Sequence, residues 1–143
     1  MMQLSGATRD VLKNFSTINQ NLMVKSGNTI NTMSAMKNIV AKATIPDTFS
    51  NEFAIYDLNE FLSALSLFKS PSLDFADKSV KLNEEGGGSS LNYFFSDPSV
   101  VTTPKTEITM PSVDVEFTFT QNAFIDIQKA SAVLGVPDVV LKG

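Results

Sequence analysis

The stretch EFAIYDLNEFLSALSLF, Glu52 to Phe68, contains the structural unit that decides the fold. Phe53 to Tyr56 is a short apolar and aromatic run, the composition of a buried strand. Asp57 follows, with Glu60 three residues on, an Asp version of the capping box that opens a helix. Leu58, Phe61, Leu62, Leu65 and Phe68 then recur at spacings of three and four. That spacing predicts a helix over 58–68 with one buried stripe. The opposite face carries Asn59, Ser63 and Ser66, which are small and neutral. Pro71 keeps the chain from continuing as a helix.

Toward the N-terminus, Leu4, Ala7, Val11, Leu12, Phe15 and Ile18 predict a helix over 4–19. Ser5 is its expected N-cap, because a hydroxyl accepts from an otherwise orphaned N–H of the first turn. At about 100° per residue, Lys13 lies opposite the apolar stripe, flanked by Arg9 and Thr17. Asn21 to Lys25 and Thr29 to Met33 flank Ser26-Gly27-Asn28, which predicts a hairpin. Ile39 to Ile45 reads as another strand, closed by Pro46.

Toward the C-terminus, Leu73 to Ala76, Ser79 to Asn83 and Ser90 to Phe95 read as strands, with Glu84-Glu85-Gly86-Gly87-Gly88 as a turn. The triple glycine has no following helix and no Lys-Ser/Thr pair, so it does not read as a phosphate cradle. Residues 97–112, DPSVVTTPKTEITMPS, are rich in Pro, Thr and Ser and predict an extended connector. Val113 to Thr118 alternates like a strand, and a helix is expected from Gln121 to Leu134. In that helix Phe124, Ile127, Ser131 and Leu134 share one side, Asp126 and Lys129 take the other, and Gly135 ends it. Asp138 to Lys142 reads as a final strand. EFTFTQNAFIDIQKASAVL, Glu116 to Leu134, thus restarts the strand–cap–helix plan of Glu52 to Phe68. The fold class is α+β. One strand cannot cover the last helix's apolar side, so a continuation beyond Gly143 is expected.

Composition narrows the chemistry. The chain has 143 residues, 43% of them hydrophobic, which is enough for a packed core. It has no His, Cys or Trp. Thiolate metal sites, zinc fingers and His-dependent nucleophilic machinery are excluded. The nearest acid pairs are Asp57 with Glu60, Asp74 with Asp77 and Glu84 with Glu85. Each has a plainer account as a cap, a strand end or a turn, so neither a catalytic nor a metal site is expected. No stretch nears the ~20 apolar residues of a membrane span, and the start does not read as a signal peptide. The net charge is −4, but residues 1–45 carry five basic side chains against Asp10 alone. The pattern implies one basic face on an otherwise acidic body.

Several words of the sequence resemble the DNA polymerase sliding clamps of T-even-type bacteriophages. They are LKNFSTIN (Leu12 to Asn19), Met23 with VKSG (Val24 to Gly27), AIYDLNEFL (Ala54 to Leu62) with LSL (Leu65 to Leu67), and DPSVV (Asp97 to Val101). The resemblance implies clamp domains with antiparallel sheets outside and amphipathic helices lining a ring. It places a first domain at 1–96, the connector at 97–112 and the start of an incomplete second domain at 113–143. It implies a non-enzymatic processivity factor that encircles duplex DNA as a homotrimer and tethers the replicative polymerase, without cofactor or membrane. A clamp-loader ATPase and phage late-transcription proteins are the further implied partners, in the cytoplasm of the infected bacterial host. Arg9, Lys13 and Lys129 are the implied DNA-facing residues. Val100, Val101, Ile108 and Met110 are the implied pocket for the polymerase tail peptide. A virion assembly protein using open strand edges is the alternative, but it leaves the basic helix faces unexplained.

Overall fold

The structure is a computed structural model that describes residues 1–107 and 109–142. The chain divides into two compact units, Met1–Ile108 and Thr109–Gly143. In the first unit the elements are β1 (Met2–Gln3), α1 (Gly6–Ser16), β2 (Leu22–Val24), β3 (Gly27–Met33), β4 (Val40–Phe49), β5 (Phe53–Ile55), α2 (Leu58–Ser66), β6 (Pro71–Phe75), β7 (Ser79–Glu84) and β8 (Ser90–Phe94). A short 3-10 turn follows at Pro98–Val100. The second unit contains α3 (Gln121–Leu134).

All strand pairings are antiparallel. One sheet has the order β1-β6-β7-β8, and two further pairs join β2 with β5 and β3 with β4. This is the α+β class expected from the sequence, with both helices of the first unit packed on sheets.

The unit at Glu52–Phe68 forms as its residues dictate. Phe53, Ala54 and Ile55 are all buried, consistent with a strand covered on both faces. The Asp57 carboxylate accepts from the Glu60 N–H at 3.1 Å and caps α2. Leu58, Phe61 and Leu65 point into the core beside Ala64, while Asn59, Ser63 and Ser66 face solvent. Burying a side chain the size of Phe61 stabilises the fold by roughly 2 kcal/mol. Phe61 meets the Tyr93 ring edge-on at 5.1 Å, which ties α2 to β8. The Tyr93 hydroxyl donates to the Asp57 carbonyl at 3.2 Å. Burial, helped by the charges of Glu60 and Asp57, pushes the Tyr93 phenol up to about 12. A second aromatic group of Phe49, Phe53, Phe75 and Phe95 closes the other end, with Phe53 stacked on Phe95 at 4.9 Å.

Helix α1 is capped by Ser5, whose hydroxyl accepts from the Thr8 N–H at 3.1 Å. Leu12 and Phe15 are buried as the spacing predicts. The first turn differs, for Ala7 is exposed and Thr8 is fully buried. The reason is a polar anchor. Asp47 of β4 accepts from both the N–H and the hydroxyl of Ser5, each at 2.8 Å, and rotates that turn toward the sheet. Burial alone would raise the Asp47 carboxyl, but hydrogen bonds from Thr8 and Ser5 outweigh it and hold it below its ordinary value.

The predicted hairpin at Ser26-Gly27-Asn28 does not form. Strand β2 pairs with β5 instead, Leu22 opposite Ile55 and Val24 opposite Phe53. That register seats the four apolar side chains in the core, which outweighs the local turn preference. Strand β3 pairs with β4 across a turn at Ser34, whose hydroxyl accepts from the Asn38 and Ile39 N–H groups. Pro46 does not close β4, which runs on to Phe49. The β3–β4 register shifts between Gly27 and Thr29, and Pro46 falls in the stretch that the shift leaves unpaired. A residue without an N–H is tolerated at such a bulge.

The β7–β8 turn holds Gly86, Gly87 and Gly88, all at positive φ, so the triple glycine shapes a turn as expected. Glu84 accepts from the Lys69 and Ser70 N–H groups, placing an anion at the turn's base.

In the second unit, Thr120 caps α3 and Gly135, at φ 62°, ends it in the left-handed conformation. The strands expected at Val113 to Thr118 and Asp138 to Lys142 do not form. A strand needs a hydrogen-bonded neighbour for its backbone, and among the described residues of this unit none is present. For the same reason no residue of α3 is buried, and Phe124 is 50% exposed.

Candidate nucleic-acid interface

Helices α1 and α2 pack side by side, and α1 also packs on β4. Their apolar faces are committed to the core, so the remaining faces form one exposed surface. Arg9, Asp10 and Lys13 of α1 stand there with Leu62, Leu65 and Ser66 of α2 around a shallow groove. The structure therefore brings Arg9 and Lys13 together as their four-residue helical spacing implies, one turn apart. Ser66 joins them. Ser63 does not, since it lines a separate groove against β8.

The groove is lined by two cations, one acid, two leucines and the small residues Gly6 and Ser66. Lys13 also lies in the last turn of α1, where a cation is favoured by the helix dipole. Such a face offers sequence-blind attraction to phosphates, weak and screened by salt. Among the described residues no group of three acids converges as a metal ion would require. No helix among them is long and apolar enough to cross a membrane.

The other predicted residues are distributed differently. Lys129 is exposed on α3 in the second unit. Val101 is only 8% exposed and lines a groove with Met33, Lys37 and Pro98, whereas Val100 is 55% exposed and outside it. Met110 is exposed in the second unit, and Ile108 lies outside the described residues. Asp97 fixes the start of this segment, its carboxylate accepting from the Ser99 N–H at 2.8 Å.

Asn19 is a structural anchor the sequence reasoning missed. Buried just past the end of α1, its amide donates to the Met33 carbonyl at 2.9 Å and the Thr102 carbonyl at 3.3 Å. Its side-chain oxygen accepts from the Asn21 N–H. One side chain thereby holds the connector against the β3–β4 hairpin. A polar residue at the C-terminal end of an apolar stripe was the available signal, but its partners lie 14 and 83 residues away.

Residues 5–103 match the model of a family described as DNA polymerase processivity factor. The chain is 35% identical to a protein named sliding clamp from Vibrio phage KVP40, over 99% of this chain and 65% of that one. It is 37% identical to the sliding clamp of Enterobacteria phage T4, over 77% of this chain and 48% of the other. It is 31% identical to that of Escherichia phage RB69, over 80% and 50%. The chain thus spans between about half and two thirds of the length of these relatives. With the α+β fold, the antiparallel sheets and the family match over most of its length, this chain belongs to the DNA polymerase processivity factor family, the sliding clamps of T4-type phages.

Proposed function

We propose that this chain serves in a sliding clamp that encircles duplex DNA and tethers the replicative polymerase, without catalysing a reaction itself. The observation that carries the reading is the α1–α2 surface. It sets Arg9 and Lys13 on the solvent side of two helices whose apolar sides are spent on the core. A clamp must slide, so a few cations and small polar groups serve it better than base contacts. Beyond residue 45 acids outnumber lysines 14 to 6, which weakens attraction to DNA over that part of the chain.

In this reading residues 1–96 are the first clamp domain, 97–112 the connector and 113–143 the start of a second domain whose Lys129 joins the DNA-facing set. The polymerase tail peptide docks at the connector, in the groove that Val101 lines with Met33, Lys37 and Pro98. Closure as a homotrimer is supported by the open edge of β8, where Phe94 is 72% exposed, and by Leu67 just past the end of α2, which is 73% exposed. A clamp-loader ATPase opens the ring, late-transcription proteins use it as a mobile platform, and the setting is the cytoplasm of an infected bacterium.

The test reverses the two charges. Arg9→Glu with Lys13→Glu lowers loader-dependent processive synthesis by at least about tenfold at moderate salt and leaves the melting curve unchanged. Full processivity with both charges reversed removes these residues from the DNA path.

A further inference from the structure

Strand β4 alternates between its two faces, and one residue breaks the pattern. Lys42, Thr44 and Pro46 are exposed on the outer face, while Ala43, Ile45 and Phe49 turn inward to the core. Asp47 stands in that inward row, half-buried between Ile45 and Phe49. An apolar residue there would avoid the cost of desolvating a carboxylate. Such breaks in patterning concentrate at functional or strained positions. What Asp47 does is hold Ser5. One carboxylate oxygen, Oδ2, accepts from both the N–H and the hydroxyl of Ser5, each at 2.8 Å. Ser5 in turn accepts from two residues of α1. Its hydroxyl oxygen takes the Thr8 N–H and its carbonyl takes the Arg9 N–H, each at 3.1 Å. A chain of hydrogen bonds thus runs from β4 through Ser5 to the peptide group of Arg9. With Thr8 fully buried, Arg9 beside it is exposed. Lys13 stands outside this chain, next to Leu12 and near Phe15, whose burial fixes the second half of the helix.

We infer that Asp47 is a positioning residue for DNA: through Ser5 it sets the rotation of the first turn of α1 and so fixes where the Arg9 guanidinium meets phosphate. The inference rests on the DNA-facing reading of α1 given above. Asp47 is itself an anion and repels phosphate, so its charge and its positioning act in opposite directions. Without the carboxylate the first turn loses its tie to the sheet and frays as unheld helix ends do. The arginine then spreads over many positions, and each phosphate contact carries a larger ordering cost. Lys13, held by core burial one turn further on, keeps its place.

The test measures the lifetime of the clamp loaded on a primed circular duplex as the salt concentration rises. Only loaded, folded protein contributes to that lifetime. Asp47→Ala shortens it about two- to threefold although a negative charge is removed. Arg9→Ala shortens it by the same factor, the worth of one exposed ionic contact. Combined, the two substitutions shorten it no further, because both remove one and the same contact. Lys13→Ala added to Asp47→Ala multiplies the two losses. Asp47→Ala also flattens the salt dependence as much as Arg9→Ala does, which a loss of stability alone does not produce. Asp47→Asn keeps an oxygen acceptor in the place of Oδ2 and brings the lifetime back to the wild-type value or above it. A lifetime unchanged or lengthened in Asp47→Ala, with Arg9→Ala still shortened, overturns the positioning role and leaves the DNA-facing reading standing. An Asp47→Ala background in which Lys13→Ala also has no effect overturns it too, since that marks a general loosening of α1. An Arg9→Ala lifetime equal to wild type removes the DNA-facing role of Arg9 and the inference with it.

Discussion

Helices α2 and α3 begin from nearly the same sequence plan and end in opposite situations. Both follow a Glu-Phe start and a short run that reads as a strand, both are capped by a side-chain oxygen, and both carry an apolar stripe. In α2 the run pairs as β5 against β2, and Leu58, Phe61, Ala64 and Leu65 are buried. In α3 the run stays unpaired and no residue is buried. The caps form in both because capping is decided within four residues. Burial differs because it needs a sheet, and a sheet needs strands from elsewhere in the chain. Local chemistry thus specifies the helix, and only long-range pairing turns its stripe into a core.

The largest expected effect contrasts the two stripes. Phe61→Ala removes a fully packed ring and costs about 3–5 kcal/mol of unfolding free energy in denaturant titration. Phe124→Ala, on the exposed stripe of α3, stays within about 0.5 kcal/mol. Similar losses at both positions would mean that α3 is buried to the same degree as α2.

A smaller contrast concerns the caps. Asp57→Ala costs roughly 1 kcal/mol of global stability, because α2 unfolds with the core it covers. Thr120→Ala lowers the helicity of α3, seen by circular dichroism, and leaves the main unfolding midpoint in place. A shifted main midpoint in the Thr120 variant would show that the two helices unfold together.

The smallest effect is pH-dependent and confined to the first unit. The Asp47 carboxyl is held below its ordinary value in the fold. Its stabilisation is therefore present above the unfolded carboxylate range and is lost as the pH falls through the folded value. The stability advantage of wild type over Asp47→Asn is full at neutral pH and shrinks on acidification below about pH 4. An advantage that grows on acidification would contradict the anchoring of α1 by Asp47.

These contrasts separate what the sequence makes legible from what it does not. The helices, the caps at Ser5 and Asp57, the stop at Gly135 and the glycine turn all rest on neighbours within a turn or two. They were readable for that reason. The pairing of β2 with β5 was not, since two strands of three residues each carry too little pattern to name a partner about 30 residues away. Nor was the Ser5–Asp47 anchor, which joins positions 42 residues apart. Alternation at Val113 to Thr118 promised a strand, but alternation supplies no partner. In the candidate interface, Arg9 and Lys13 followed from helical periodicity alone. The nearness of Ser66 to those two cations and the anchoring role of Asn19 depended on tertiary neighbours.

The central claim is that DNA meets the α1–α2 face and not the reverse of the β3–β4 hairpin. It is tested most directly by placing a photo-crosslinking residue at Lys13 in one sample and at Lys42 in another, then irradiating the protein loaded on primed duplex DNA. Crosslinks to DNA from position 13, with none above background from position 42, are the predicted result. DNA crosslinks from position 42 and none from position 13 would contradict the account.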